Sequence, residues 1–474
     1  MSKKLDARYD EQRPEPKITR VQPLEINCQS RIMKRFISKI VPQLTKNRYH
    51  KLQANYARFR YGNPSRKLVV IGVTGTKGKT TVCNMIASIL DASGKPNAME
   101  TTINTKILDK ITPHTTKARW VTTPPPSVVQ QFLRDAKKAG CEYAILEVTS
   151  QAIDQYRIWG IEFDVLVYTN LSHDHLDYHL TKEKYLEAKL KVFRDNPKAK
   201  FVINHDDSYW NRFYSLPATE RFLYSIKQPM EHGAVARKIL PGSSDITFTV
   251  AHDDGQITIN LNLPGQFNVL NSLAAFCVGL ALELEPEKIK KGLEDIKQIT
   301  GRMEPIRTSS KQDFTVIVDY AHNPDSLKNV YETTRESMKK AGGRLIAVLG
   351  ATGRRDKTKR PLMGALAGRY ADLVIFTNED PYDEDPNTII EEVAAGIHRG
   401  ALKKHQWHLG RNYWKVIDRA QAIHQAIKEA HKGDVVIITG KGAEEVMAVG
   451  LDEFIPFSDR SIAKQELLRR FRED

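Results

Sequence analysis

No stretch of the 474 residues is apolar for long enough to cross a bilayer, which excludes a helical membrane span. The opening MSKKLDARYDEQRPEPK lacks the apolar core of a secretion signal, so export is not expected and the chain is placed in the cytoplasm. Cysteine is scarce. Cys28, Cys83, Cys141 and Cys277 stand far apart with no metal-like pairing, and read as reduced thiols and not as a disulfide frame. Acidic residues are scarce at one end: residues 1–67 hold 17 Lys or Arg against 5 Asp or Glu, so 17 − 5 = +12 of the net +15 sits there and +3 is spread over the rest. A basic head on a near-neutral body argues against a broad nucleic-acid face. No aromatic-interleaved RNA motif or zinc-finger spacing appears either, so no nucleic-acid partner is expected.

What the chain does have is 41% hydrophobic residues over a length that suits two or three domains. Residues 1–20 are polar, carry Pro14 and Pro16, and are expected to be disordered. Residues 30–60 read as basic helix broken near Pro42. They fit a weak membrane-surface contact or a helical cap packed on the next domain, with the cap favoured. From Lys67 strands and helices alternate. Mostly apolar strands are predicted at 67–73, 143–148, 164–169 and 200–204, with helices at about 79–92, 127–139 and 182–194. Two alternating runs around Asp254-Gly255 predict a hairpin over 245–263. Helices near Asn268 and at 286–297 lead to GRMEP (301–305). A second series follows: strand 314–319, helix 324–340, strand 344–350, helix 359–370, strand 372–377 and a last strand at 434–438.

The strand LVVIGV runs into Thr74-Gly75-Thr76-Lys77-Gly78-Lys79-Thr80-Thr81 and then a helix. Glycines let successive N–H groups turn around phosphate, and the helix N-terminus adds a favourable dipole. Lys79 can reach outer phosphates and the Thr80 hydroxyl can ligate Mg²⁺. Val73 replaces the first glycine of the strict Walker pattern, yet an ordinary glycine turn does not explain the ordered Gly-Lys-Thr-Thr. The expected fold class is therefore α/β: a basic segment over 1–64, a central P-loop-type ATP-binding domain with a mostly parallel sheet over 65–304, and a Rossmann-like α/β domain over 305–474.

Further candidates lie where strands end. Glu147 closes YAILEV, and His175 lies in TNLSHDHLDYH (169–179), just past DVLVYTN; both are expected to face the phosphate loop. A carboxylate and an imidazole beside triphosphate suit Mg²⁺ or Mn²⁺. Zinc on His173, His175 and His179 is disfavoured by the absence of nearby cysteines. Lys189, in YLEAK (185–189), reads on its own as a solvated helix lysine.

Taken together, GVTGTKGKTT (72–81), TTP (122–124), EVTSQAIDQYR (147–157), TNLSHDHLDYH, YLEAK, GQFNVLNSLAA (265–275), GRMEP, VDYAHNPDSL (318–327), GRRDKTKRPLMG (353–364) and GKGAEE (440–445) resemble the Mur ligases, most nearly the MurE type, over residues 65–450. The resemblance implies an ADP-forming ligase that activates a carboxylate as an acyl phosphate and couples it to an amine. It implies ATP and two Mg²⁺ ions as cofactors. Gly75, Thr76, Lys77, Gly78, Lys79, Thr80 and Thr81 would form the phosphate loop. Thr80, Glu147, His175 and a carbamylated Lys189 would hold the metals, Asn271, Arg302 and Asp319 the nucleotide, and His322 would stand by the reaction. Thr122, Thr123, Ser150 and Arg157 match positions for a nucleotide-sugar peptide. Asn378, Asp380, Tyr382, Gly440 and Glu444 match those for an incoming amino acid.

The chain also departs from the MurE pattern. Residues 1–64 are short and basic for a UDP-sugar domain, and Tyr382 stands where diaminopimelate-adding enzymes carry an arginine that pairs with the distal carboxylate. Glu379, Asp380, Asp383 and Glu384 lie close by, which predicts a cationic side chain, lysine ahead of diaminopimelate. The leading expectation is addition of such a diamino acid to a UDP-MurNAc-dipeptide in peptidoglycan precursor synthesis, by a monomer. The alternative keeps the chemistry with another acceptor, as in poly-γ-glutamate or folylpolyglutamate synthesis.

Overall fold

The computed structural model describes residues 43–114, 122–172, 174, 176–242, 244–339, 342–400 and 406–471. The chain divides into two units, Met1–Tyr49 and His50–Asp474. The segment expected to be disordered, 1–20, lies outside the described residues. Of the basic helix expected over 30–60, the part Gln43–Arg60 is helical, starting one residue after Pro42.

Within the second unit the first sheet has eleven strands. They are β1 (Val69–Thr74), β2 (Asn97–Glu100), β3 (Asn104–Ile107), β4 (Lys110–Pro113), β5 (Tyr143–Glu147), β6 (Val165–Tyr168), β7 (Lys200–Asn204), β8 (Glu220–Ser225), β9 (Gly233–Pro241), β10 (Ile246–His252) and β11 (Gly255–Leu261). Their spatial order is β11-β10-β9-β8-β7-β6-β1-β5-β2-β3-β4. From β9 to β2 every pairing is parallel, and antiparallel hairpins close both flanks. The predicted strands and helices of this half fall within a few residues of the observed ones. The short β2, β3, β4 and the strands β8 and β9 had no prediction.

Burial explains the patterns. The parallel strands are apolar throughout because helices cover both faces: Lys79–Ala92 and Gln266–Ala281 on one, Pro126–Lys138 and Lys182–Arg194 on the other. The β10–β11 hairpin alternates buried and more exposed residues because only one face meets a core.

The second sheet has the order β12-β13-β17-β14-β15-β16, built from β12 (Glu304–Ile306), β13 (Thr315–Asp319), β14 (Leu345–Leu349), β15 (Leu373–Thr377), β16 (Tyr413–Val416) and β17 (Val435–Thr439). β12 runs antiparallel to β13 and the rest are parallel. The expected last strand is β17, and a small ladder of β18 (Val446–Ala448) and β19 (Phe454–Pro456) follows it. The α/β class expected from the sequence is the fold observed.

One buried ion pair locks the ends of this sheet. Arg419 and Asp459, both fully buried, meet through two hydrogen bonds of 2.7 Å. The guanidinium also donates to the carbonyls of Asn378 (3.1 Å) and Thr439 (2.8 Å), just past β15 and at the end of β17. Removing one partner of a buried ion pair leaves the other charge buried and uncompensated. Asp459→Asn is therefore expected to cost about 3–5 kcal/mol of stability, read as a lower urea midpoint at unchanged m-value.

Candidate functional site

β1, β5 and β6 lie side by side and end together, with Val73 opposite Glu147 and Thr74 opposite Tyr168. Because the connections after β1 and after β5 pack on opposite faces of the sheet, the C-terminal ends of these strands open a crevice where ligands bind in such sheets. The phosphate loop leaves β1 here. Gly75 (φ +150°) and Gly78 (φ +83°) have backbone geometry that side chains rarely adopt, and a Cβ on either would overlap Thr169 Oγ1 or Asn271 Oδ1. Thr76 N–H donates to the Asn170 carbonyl (2.8 Å) and Lys77 N–H to Asn170 Oδ1 (3.0 Å), so the end of β6 moulds the loop.

Three donors converge on Glu147, which is 3% exposed. Its Oε2 accepts the Thr80 hydroxyl (2.9 Å), the Thr102 N–H (2.9 Å) and the Thr102 hydroxyl (3.0 Å). A hydroxyl and a carboxylate at this spacing form one edge of a hard-cation site, so the residues present suit Mg²⁺. Among the described residues no cluster of three His, Cys, Asp or Glu stands ready for a metal. His175 and His173 lie outside the described residues.

Lys189 is no solvated lysine. It is 1% exposed, donates to the Gly75 carbonyl (2.8 Å) and lies 4.6 Å from the Tyr185 ring centroid. Lys79 donates to the same carbonyl (3.2 Å) and to that of Thr76 (2.9 Å). Burial, with the charge of Lys79 beside it, pushes the Lys189 pKa well below the usual lysine value, against a pull from Asp174.

The residues matched to the peptide substrate gather beside Glu147. Thr123 Oγ1 donates to the Glu147 carbonyl (2.8 Å) and accepts the Thr149 N–H (3.0 Å), while Arg157 Nη1 holds the Thr123 carbonyl (2.8 Å). Thr122 Oγ1 accepts the Thr102 hydroxyl (3.1 Å), and Ser150 Oγ sits 2.9 Å from His179 Nε2. Thr81 is buried in the first turn of the loop helix, and Asn271 is fixed by its bond to Asn268 (3.1 Å).

GRMEP reaches into this crevice from the second half. Arg302 Nη2 approaches Thr80 Oγ1 (3.4 Å) and its guanidinium stacks 4.5 Å from the Tyr320 ring. Asp319 is buried, and its two oxygens accept the N–H groups of Met303 and Ala321, each at 2.7 Å. Burial raises its pKa. The carboxylate thus holds the GRMEP turn in place. His322 Nδ1 donates to the Tyr320 carbonyl (2.9 Å), and Lys359 donates to the carbonyl of His322 (2.9 Å). Lys77 pairs with Asp325 at 3.4 Å, tying the loop to the helix Pro324–Met338.

The residues matched to the incoming amino acid form a pocket at the C-terminal ends of β14, β15 and β17. Lys441, fully buried, bridges Asp380 (2.9 Å) and Glu444 (2.7 Å). Burial opposes its charge, but the two carboxylates outweigh that and raise its pKa. Burial lifts Glu444 to about 7 against the pull of Lys441. Gly440 (φ +116°) lies against Glu379, Asn378 Nδ2 points to Met447 Sδ (3.7 Å), and Tyr382 takes φ +53°. A narrow cleft lined by Thr102, Arg302, Tyr320, Lys441 and Glu444 runs from this pocket toward the Glu147 cluster.

Here the structure corrects the charge argument for lysine. Asp380 is held by Lys441, Asp383 by Arg354 (2.6 Å), and Glu384 by Arg360 (3.0 Å) and Lys357 (3.1 Å). Chain cations already neutralise these acids, so they do not by themselves select a cationic substrate over a zwitterionic one. Glu379 accepts the Thr352 hydroxyl (2.7 Å), and burial raises its pKa.

Sequence reasoning passed over Thr102, Asn170, Lys359 and Lys441. Thr102 follows a four-residue strand too short to predict, although TTINT stands plainly in the chain. Lys441 was in view within GKGAEE, but its partner Asp380 is 61 residues away. Thr102→Val keeps one of the two bonds to Glu147 and removes the other. It is expected to weaken Mg²⁺-dependent nucleotide turnover by roughly tenfold, the weight of about one hydrogen bond to a charged group, with the folded state retained by circular dichroism.

Residues 73–279 match the Mur ligase middle domain and residues 301–442 the Mur ligase glutamate ligase domain. The UDP-N-acetylmuramoyl-L-alanyl-D-glutamate–2,6-diaminopimelate ligase of Geobacillus thermodenitrificans is 36% identical over 456 residues, 95% of this chain and 89% of that protein. A solved ligase of the same name is 29% identical with a TM-score of 0.61, covering 91% of this chain and 84% of its own. Folylpolyglutamate synthase of Mycobacterium tuberculosis shares the fold at 16% identity and a TM-score of 0.66, over 94% and 99% of the two chains. With that identity over nearly its whole length, and with the phosphate loop, Glu147 and GRMEP brought to one crevice, the chain belongs to the Mur ligase family of ATP-dependent, amide-forming ligases.

Proposed function

We propose that this chain adds a diamino acid to a UDP-MurNAc-dipeptide in peptidoglycan precursor synthesis, as a monomer in the cytoplasm whose basic N-terminal end can touch an anionic surface. The observation that carries this is the convergence on Glu147. The phosphate-loop Thr80 and Thr102 meet on its carboxylate, Thr122 joins through Thr102, and Thr123, held by Arg157, binds its backbone carbonyl. The relatives named above supply the acceptor and the diamino acid.

In this reading Gly75 to Thr81 and Lys79 hold the phosphates of ATP, with Asn271 and Arg302 on the nucleotide and Asp319 securing the turn that presents Arg302. Thr80 and Glu147 would hold Mg²⁺, and His175 with carbamylated Lys189 would hold a second ion. The metal supplies charge neutralisation for phosphoryl transfer. Thr122, Thr123, Ser150 and Arg157 place the acceptor carboxylate, whose oxygen attacks the γ-phosphorus in line as the bond to ADP breaks. Lys79 and the loop N–H groups disperse the charge that develops. The amine, seated by Asn378, Asp380, Tyr382, Gly440 and Glu444 with His322 beside the path, attacks the acyl carbon; phosphate leaves and the amine loses a proton. The narrow cleft keeps water from the acyl phosphate.

Carbamylation of Lys189 has a physical motive. Two lysine Nζ atoms share the Gly75 carbonyl, that of Lys189 in a buried site. The depressed pKa favours the neutral amine that attacks CO₂, and the carbamate replaces a repelled cation with an anion beside Lys79.

Phosphate release, measured with UDP-MurNAc-L-Ala-D-Glu, a folate and a γ-glutamyl acceptor each crossed with lysine, diaminopimelate, glutamate and alanine, tests the assignment. Turnover is expected with the nucleotide-sugar dipeptide and a diamino acid; turnover with only a folate or γ-glutamyl acceptor overturns it. Lys189→Ala is expected to lower kcat by on the order of 10²-fold or more, as for loss of a group that stabilises transition-state charge, with partial rescue by formate or acetate. Full activity of that variant without rescue would sink the carbamate.

A further inference from the structure

The helix Gln43–Arg60 has two unlike faces. Ala54 and Ala57 are buried, at 1% and 2% exposure, whereas Leu52, Tyr56 and Phe59 are 68%, 65% and 85% exposed. These three stand at i, i+4 and i+7, so they form one stripe on a helix, turned away from the two alanines. The helix therefore packs through its small residues and presents its large apolar ones to solvent, the reverse of a helix that covers a core. Single exposed apolar residues are ordinary, but a stripe of one aliphatic and two aromatic side chains marks an interaction surface.

The charge around the stripe states the chemistry of its partner. Residues 50–67 contain five Lys or Arg and no Asp or Glu. On the helix Lys51 lies 4.1 Å from the centroid of the Trp159 ring, and after it Arg66 pairs with Glu162 at 2.8 Å while Lys67 is exposed. Arg60, next to Phe59 at the helix end, is exposed. Exposed apolar side chains flanked by cations on one helix suit a surface that is anionic outside and apolar beneath, which is the interface of a charged bilayer. A single-stranded nucleic acid would use the aromatic rings as stacking platforms but has no use for Leu52.

We propose that Leu52, Tyr56 and Phe59 dock this protein on the surface of a membrane rich in anionic lipid, with the lysines and arginines of residues 50–67 drawn to the headgroups. None of the three side chains belongs to the ligase site, so this docking stands or falls independently of the proposed reaction. The full chain is expected to co-sediment with phosphatidylglycerol-containing vesicles and not with pure phosphatidylcholine vesicles, and to be released by salt. Replacing the stripe by Leu52→Gln, Tyr56→Gln and Phe59→Gln together is expected to weaken vesicle binding by roughly tenfold or more, with phosphate release from soluble substrates unchanged. Should the triple variant fail to fold by circular dichroism, Phe59→Gln alone gives the same comparison with a smaller loss. Equal binding to neutral vesicles, or undiminished binding by the stripe variants, overturns the proposal. So does an oligonucleotide that binds more tightly than the vesicles, or a wild-type dimer that the stripe variants make monomeric.

Discussion

Two lysine side chains, from the phosphate loop and from a distant helix, meet on one backbone oxygen, the carbonyl of Gly75. Like charges that close in a buried site repel unless one is neutralised or countered. Lys79 comes from the loop itself, whereas Lys189 comes from a helix more than a hundred residues later, packed so tightly that almost none of it meets solvent. Position 189 lies on the buried face of its helix, beside Tyr185, Leu186 and Phe193, so holding a lysine there costs stability. Such a group is expected where its altered protonation has a use.

The second dependency is the short segment between the two sheets. Gly301 takes φ +66°, its N–H binds Glu304 Oε2 (2.7 Å), and Met303 N–H binds Asp319. Glu304 is in turn held by Arg460 at 2.8 Å. These bonds fix a turn that sends Arg302 toward Thr80 while β12 joins the second sheet. The nucleotide loop and the amino-acid pocket are thus coupled through one hydrogen-bonded turn, with Lys77–Asp325 as a second tie.

Where the sequence was legible, it was so because a local rule and the tertiary outcome agreed. The apolar runs of β1, β5, β6 and β7 and the period of the loop helix were readable, since strands covered on both faces have no alternation to disguise them. The hairpin of β10 and β11 announced itself through Asp254-Gly255 and alternation. Short strands such as β2 and β12 carry three or four residues and make sense only by their neighbours. Thr102, just past β2, therefore went unseen although it gives Glu147 two of its three hydrogen bonds. The acids after β15 misled for a related reason. Their spacing suggested an electrostatic trap, but Lys441, Arg354, Arg360 and Lys357 come from other segments to neutralise them.

By itself the sequence determined the family, the α/β class and the phosphate loop, because each rests on residue types in fixed local order: glycine where φ must be positive, lysine and threonine where a helix begins. It also placed the chain's positive charge at one end. Only the tertiary structure decided which of these groups are available. Burial turned Lys189 from an ordinary helix cation into a group with a depressed pKa, and a partner 61 residues away turned Asp380 from a free acid into half of an ion pair. Charge is written in the sequence, but its solvation and its counterions are not, and those depend on contacts between segments that no local spacing specifies.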